Sequence, residues 1–421
     1  MNDPSAARAE HGRGQDMATS LAGAQDGEIT PLFPQRGHSS GNRLFQSFFM
    51  GGFECSTHRR RDGRRLDLLR STRHDVLAAE DYRQLAEHGI RVARDGVRWH
   101  LIETAPGHYD WSSVLPALRA AKATGTQVAW DLCHYGWPDG LDVYSAAFVS
   151  RFANFARAFA RLHLEETGRP PMVCPVNEIS FFAWAGGEAG LMNPGHTDRA
   201  YSDALKMQLV RAAIAGARAV REAAPGARIV SIDPMINIIP RPDQDPADAL
   251  GRNEGQFHAW DMLAGRASPE LGGGPEIIDI VGVNYYWNNQ WLHGGEREAV
   301  LPADPLHRPL RTLFADVYAR YRRPIFLAET SIEGDERAPW LRYVCEEVRA
   351  AMRAGVPIEG ICLYPVLSHP GWDDDRYCPN GLFELQPDGD RRPVHAPLAE
   401  ELREQQRLFD ALLQETRARA G

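Results

Sequence analysis

The stretch MVCPVNEISFF, Met172 to Phe182, begins with five uncharged residues and then presents Asn177 and Glu178. A short apolar run of this kind reads as a buried strand. An unpaired carboxylate at a buried strand tip is costly, so the amide and the acid are expected where something binds. Whether it does depends on the rest of the chain building a cleft around that tip.

Seven further runs have the same character: LFQSFFMGGFE from Leu44, IRVARDGVRW from Ile90, TQVAWDLCH from Thr126, ARIVSIDP from Ala227, IIDIVGVNYY from Ile277, PIFLAET from Pro324 and IEGICLYPV from Ile358. Helix-like stretches separate them, among them DVLAAEDYRQLAEHG, SAAFVSRFANFARAFARLHLEETG, RAYSDALKMQLVRAAIAGARAVREAAPG and APWLRYVCEEVRAAMRAG. Gly89, Gly125, Gly226 and Gly355 stand just before the next strand, as helix C-caps do. Strands that are apolar almost throughout, each followed by a helix, imply a parallel sheet buried on both faces. Eight such units predict a single (β/α)8 TIM barrel, class α/β, with extended βα loops, over residues 42–415. A doubly wound sheet usually carries a Gly-rich phosphate turn after its first strand, and MGGFEC has no GxGxxG. Residues 1–41 are mixed, polar and without an apolar core, and read as a disordered N-terminal tail with no signal peptide.

Composition narrows the partners. The formal net charge of -9 argues against a nucleic-acid partner, which needs a concentrated basic face. The one basic run, THRRRDGRR from Thr57 to Arg65, reads as a solvated loop in preference to an anion site. No run of about 18 apolar residues is present, so no membrane partner is expected. Six cysteines without CxxC or zinc-like spacing read as reduced thiols in a cytoplasmic setting. The sequence leaves the oligomeric state open.

Barrel enzymes carry their active groups at the C-terminal ends of the strands. In chain order the predicted strand ends supply Glu54; Arg94, Arg98 and Trp99; His134 and Trp137; Asn177 and Glu178; Asp233; Asn284, Tyr285 and Tyr286; Glu329; and, beyond strand eight, Trp372 and Asp373. Glutamates on strands four and seven face each other across a barrel of this size. That arrangement suits glycoside hydrolysis, where one carboxyl protonates the leaving oxygen and the other stabilises or attacks the anomeric carbon. Trp137, Phe181, Trp184, Tyr286, Trp287 and Trp372 would add apolar platforms for sugar rings. Each residue also has a plainer reading: Glu178 as a helix N-terminal charge, Arg94 as a structural ion pair, His134 as a satisfied core histidine, and one of the two adjacent tyrosines as a core aromatic. His58, His100 and His369 stand too far apart in the chain to suggest a site. No HxH or HxxxH pair accompanies His134, so neither metal nor cofactor is expected.

The chain resembles the family 1 glycoside hydrolases and the wider clan of barrel glycosidases with catalytic glutamates on strands four and seven. VNEI is similar to the family's TxNEP, RDGVRW to RFSISW, LCHYGWP to LYHWDLP, DIVGVNYY to DFIGINYY, and PIFLAET to the ITENG strand. The likeness runs from about Phe45 to Glu384, and NGLFEL resembles RFGLVYV near its end. It implies a retaining β-glycosidase with a small-molecule carbohydrate substrate, Glu178 as acid/base and Glu329 as nucleophile. It further implies that Asn177 meets the sugar 2-hydroxyl, that His134 meets a glycone hydroxyl, and that Arg94 and Tyr286 hold Glu329 ionised. Asn284, Glu54, Trp184 and Trp372 complete the expected binding set. The family's QIEG on strand one is FECS here, and the glutamate of its WSLLDNFEW is replaced by Gly371. A transglycosidase on the same scaffold and a catalytically silent sugar-binding barrel are the alternative readings.

Overall fold

The computed structural model describes residues 44–294, 298–386 and 391–420; the expected N-terminal tail lies outside the described residues. Eight parallel strands close into a barrel: β1 (Phe49–Gly52), β2 (Val92–Gly96), β3 (Gln127–Asp131), β4 (Met172–Cys174), β5 (Arg228–Pro234), β6 (Ile280–Asn284), β7 (Ile325–Thr330) and β8 (Ile358–Leu363). Each pairs with its neighbours in the chain, and β8 pairs with β1 to close the ring. All eight lie inside the predicted runs.

The helices follow the strands: α1 (His74–Glu87), α2 (Leu115–Thr124), α3 (Ala146–Thr167), α4 (Arg199–Ala223), α5 (His258–Leu263), α6 (Leu310–Tyr321), α7 (Arg337–Arg353) and α8 (Ala396–Ala420). Helix α3 shows how they are specified. Ser145 caps its start by accepting the Phe148 N–H, and Gly168 ends it at φ 73°. Between them Phe148, Phe152, Phe155 and Phe159 recur at intervals of three and four and are fully buried. Each such side chain contributes about 2–3 kcal/mol on leaving water. Helix α4 packs against this stripe closely enough that a Cβ at Gly216 would lie 2.7 Å from Phe152.

Strand alternation divides the apolar residues into two cores. Met50, Val92, Ala129, Met172, Cys174, Val230, Ile232, Ile280, Phe326 and Cys362 fill the barrel interior. Their neighbours, such as Ala93, Trp130, Val173 and Val281, pack outward on the helices. The interior is therefore a plug, and polar groups two residues beyond it, Arg94 after Val92 and Asp131 after Ala129, stand on its upper surface. This places the site at the C-terminal ends of the strands. The long connection after β5 and the one after β6 meet as a two-stranded parallel pair, Asn237–Ile239 with Gln290–Leu292.

Candidate active site

Arg94 is the hub. It is 0% exposed and donates Nη1–H to Glu329 Oε1 at 2.6 Å. Its Nη2 donates to Asp131 Oδ2 and to Asn177 Oδ1, both at 2.7 Å. The Tyr364 ring covers its face at 4.7 Å. A buried guanidinium is tolerable only with its donors paired, and here a carboxylate on β3, an amide just beyond β4 and a carboxylate on β7 pair them.

Strand parity alone would send Glu329 the wrong way. Phe326 and Ala328 point into the barrel, so simple alternation puts Thr330 inside and Glu329 outside. The ladder instead slips between Leu327 and Glu329: Leu327 pairs with Val283 but Glu329 with Asn284, the next residue. This bulge turns Glu329 to the interior, where Tyr286 O–H also donates to Oε2 at 2.7 Å. Thr330 faces outward and accepts the Trp340 Nε1–H.

A different device presents Glu178. Two consecutive residues, Asn177 and Glu178, both reach the site because Glu178 adopts the left-handed conformation, φ 45°. The turn after β3 does the same with His134 and Tyr135, the latter at φ 67°. The two turns meet: Tyr135 O–H donates to Glu178 Oε2, and Asn177 Nδ2 donates to Tyr135 Oη at 3.1 Å and faces His134 Nε2 at 3.2 Å. From β6, Asn284 Nδ2 donates to Glu178 Oε1 at 2.7 Å. Burial and, next, the charge of Glu329 push the Glu178 carboxyl up to about 8.

Glu54 is buried beside His134, with Oε1 accepting the Ser56 N–H at 2.9 Å and its hydroxyl. Burial works to raise its pKa, but His134, His369 and the Ser56 bonds prevail and leave it lowered. His58 and His369, set aside as scattered, come to the same end of the barrel. The His58 ring lies 4.9 Å from that of Trp372 and its Nδ1 has no partner among the described residues; burial lowers its pKa to about 4. Trp372 also meets Tyr135 and Phe181, and Trp184, 39% exposed, stands next to Phe181. Ten of the expected residues, Glu54, Arg94, His134, Asn177, Glu178, Trp184, Asn284, Tyr286, Glu329 and Trp372, thus gather at one rim.

Some expectations change. Trp137 is a packing residue: it is buried, donates Nε1–H to Leu141 O at 2.9 Å, and packs on Phe148 and Phe182. Arg98 pairs with Asp67 and Asp75, and Trp99 is bonded to Glu103; neither joins the cluster. Tyr285 is the core aromatic of its pair, facing His307 and Gln290. The Thr57–Arg65 run is a latch rather than a freely solvated loop. Arg59 and Arg65 grip Asp139, Arg60 and Arg64 grip Asp375, and Arg61 donates to the carbonyls of Ala189 and Gly190. It thereby ties together the loops after β1, β3, β4 and β8.

Asp131, Tyr135 and Tyr364 were missed as site residues. The signal for Asp131 was present, a charge inside the apolar run TQVAWDLCH. Cys55, Asp131 and His134 bring their ligand atoms within 4.8 Å of one another, as a metal site would. Arg94, however, donates to both oxygens of Asp131, and burial first, with Asp131 next, holds the Cys55 thiol well above its usual range and so protonated. The trio serves as a hydrogen-bonded floor.

No family model matches the chain, and no curated protein matches it. Solved structures match its fold. A β-glucosidase from Thermotoga maritima in complex with azafagomine superimposes with a TM-score of 0.70 at 14% identity, covering 86% of this chain and 99% of that one. The complex with glucoimidazole gives 0.70 at 15% identity over 86% and 98%. A structure described as a family 1 β-glucosidase from the same organism gives 0.68 at 16% identity over 86% and 98%. The chain has the fold of these glycosidases. The eight parallel strands occur in the order expected for a TIM barrel.

Proposed function

We propose that the protein hydrolyses β-linked glycosides with retention, using Glu178 as general acid/base and Glu329 as nucleophile. The observation that carries this reading is the different surroundings of two buried carboxyls in one cluster. Glu329 accepts from a guanidinium and a phenol; Glu178 is buried and faces Glu329, which favours the protonated form of Glu178. In the first step Glu329 attacks the anomeric carbon while Glu178 gives its proton to the departing aglycone oxygen, leaving a glycosyl ester. In the second, Glu178 takes a proton from water, whose oxygen attacks the same carbon and frees Glu329.

Neither metal nor cofactor enters that sequence. His134, Glu54, Asn177 and Trp372 would hold the glycone, and Trp184 the aglycone. Asn177 already engages Arg94, Tyr135 and His134, so its contact with a 2-hydroxyl would replace one of these bonds. The shared fold with β-glucosidases supports the substrate class, and six buried free cysteines support a cytoplasmic setting.

The test is a 2-fluoro aryl β-glycoside, followed by mass analysis. An adduct on Glu329 is expected, and in Glu329→Ala, azide should restore turnover with an inverted glycosyl azide as product. Saccharide binding with neither adduct nor turnover would instead identify a silent binding barrel.

A further inference from the structure

One buried carboxyl beside the site has no part in the chemistry above. Asp233, near the C-terminal end of β5, accepts the Ser180 N–H at 3.0 Å on Oδ1 and the Ser180 hydroxyl at 2.9 Å on Oδ2. The residue before it, Ile232, accepts the Glu178 N–H on its carbonyl at 3.0 Å. Both bonds go to the start of one short helix, Ile179–Ala183, whose N-cap residue is Glu178 itself.

An N-cap side chain ordinarily accepts a free N–H from the first turn of its own helix. Glu178 makes no such bond, because its oxygens are turned to Tyr135 and Asn284. The N–H it leaves free is the one Asp233 accepts. A carboxyl from the next strand therefore does the capping that Glu178 forgoes, at a residue held in a sparsely populated backbone region.

We propose that Asp233 is the positioning residue of the acid/base: by capping the Glu178 helix from β5, it frees the Glu178 carboxyl to face Tyr135 and Asn284. The inference rests on the role given to Glu178 above. The groups facing Asp233 are Ser180, the Phe181 N–H and, by charge, Lys206 of α4; burial raises it to about 7. The groups facing Glu178 are Tyr135, Asn284, Glu329 and, by charge, Asp233. Ionised Asp233 therefore helps to keep Glu178 protonated.

The experiment compares wild type, Asp233→Ala and Asp233→Asn in two ways. The first is kcat/KM for a phenyl and a 2,4-dinitrophenyl β-glycoside, since only the poorer leaving group needs the acid. Asp233→Ala, which removes both acceptor oxygens, should lose about 10–100-fold on the phenyl substrate, the scale of a misplaced catalytic group, and little on the dinitrophenyl one. Asp233→Asn, whose amide oxygen can still accept the Ser180 N–H, should lose less in the same pattern. The second is the titration of the Glu178 carboxyl by 13C NMR of labelled glutamate, assigned with Glu178→Gln; its pKa should fall in Asp233→Asn.

Equal losses on both substrates, or an unmoved Glu178 titration, would overturn the proposal. If Asp233→Ala does not fold, Asp233→Asn decides, and an unmoved Glu178 titration in that variant overturns it. Because the NMR titration needs no turnover, a wild type inactive on every glycoside would count against the hydrolase reading and leave this one to be judged separately.

Discussion

Replacing Glu178 with Ala is the most informative single change, because the structure states how much its environment should be worth. An ordinary glutamate near 4.5 would be protonated about once in 300 at pH 7, whereas a carboxyl pushed up to about 8 is protonated about nine times in ten. Burial and Glu329 together thus raise the supply of acid at neutral pH by a factor of roughly 300. Removing the group should cost kcat/KM about 10²–10⁴-fold for a phenyl β-glycoside, the usual range for general acid catalysis. It should cost far less for a dinitrophenyl glycoside. The sign of the pH dependence follows: the wild-type rate with a poor leaving group holds below pH 8 and falls as pH rises through it, because the acid loses its proton. The assay is a kcat/KM profile from pH 5 to 10 with both substrates. An alkaline limb near pH 8 that survives in Glu178→Ala would assign that limb to another group and refute the argument.

Two further outcomes test the scaffold. Arg94→Met leaves Asp131 and Glu329 buried without their cation, and breaking a buried pair in this way costs about 3–5 kcal/mol; a urea midpoint unchanged from wild type would show that Arg94 is not the hub described. His74 lies between Asp81 at 2.7 Å and Asp95 at 2.9 Å. Burial alone would lower its pKa, but the two aspartates raise it from 6.5 to about 9. A raised folded pKa gives stability that is complete below about pH 6.5 and lost as pH rises through 9, here about 3 kcal/mol. Urea midpoints at pH 6 and 9.5 should differ accordingly in wild type and converge in His74→Asn; the same pH slope in both proteins would place the effect elsewhere.

The eight strands were legible because a parallel sheet buried on both faces needs nearly unbroken apolar runs, and their order followed from alternation with helices. Glu178, Glu329, Arg94 and His134 stood out as polar groups at the ends of such runs. Trp137 and Trp99 misled for the same reason: an aromatic near a strand end looks alike whether it lines a cleft or packs beneath a loop. His58 and His369 suggested no site because 311 positions separate them in the chain, and only the closed ring brings both to Glu54.

What the amino-acid sequence determined by itself is therefore the barrel and the chemical stock of its rim, since burial and periodicity are local properties of a run of residues. Aim is not local. Alternation would have turned Glu329 away from Arg94, and it faces inward only because β7 slips by one residue against both β6 and β8. Glu178 reaches the same buried cluster beside Asn177 only because its left-handed turn is held by Ile232 and Asp233 of a different strand. Both decisions depend on hydrogen bonds to neighbouring strands, which exist only once the ring has closed.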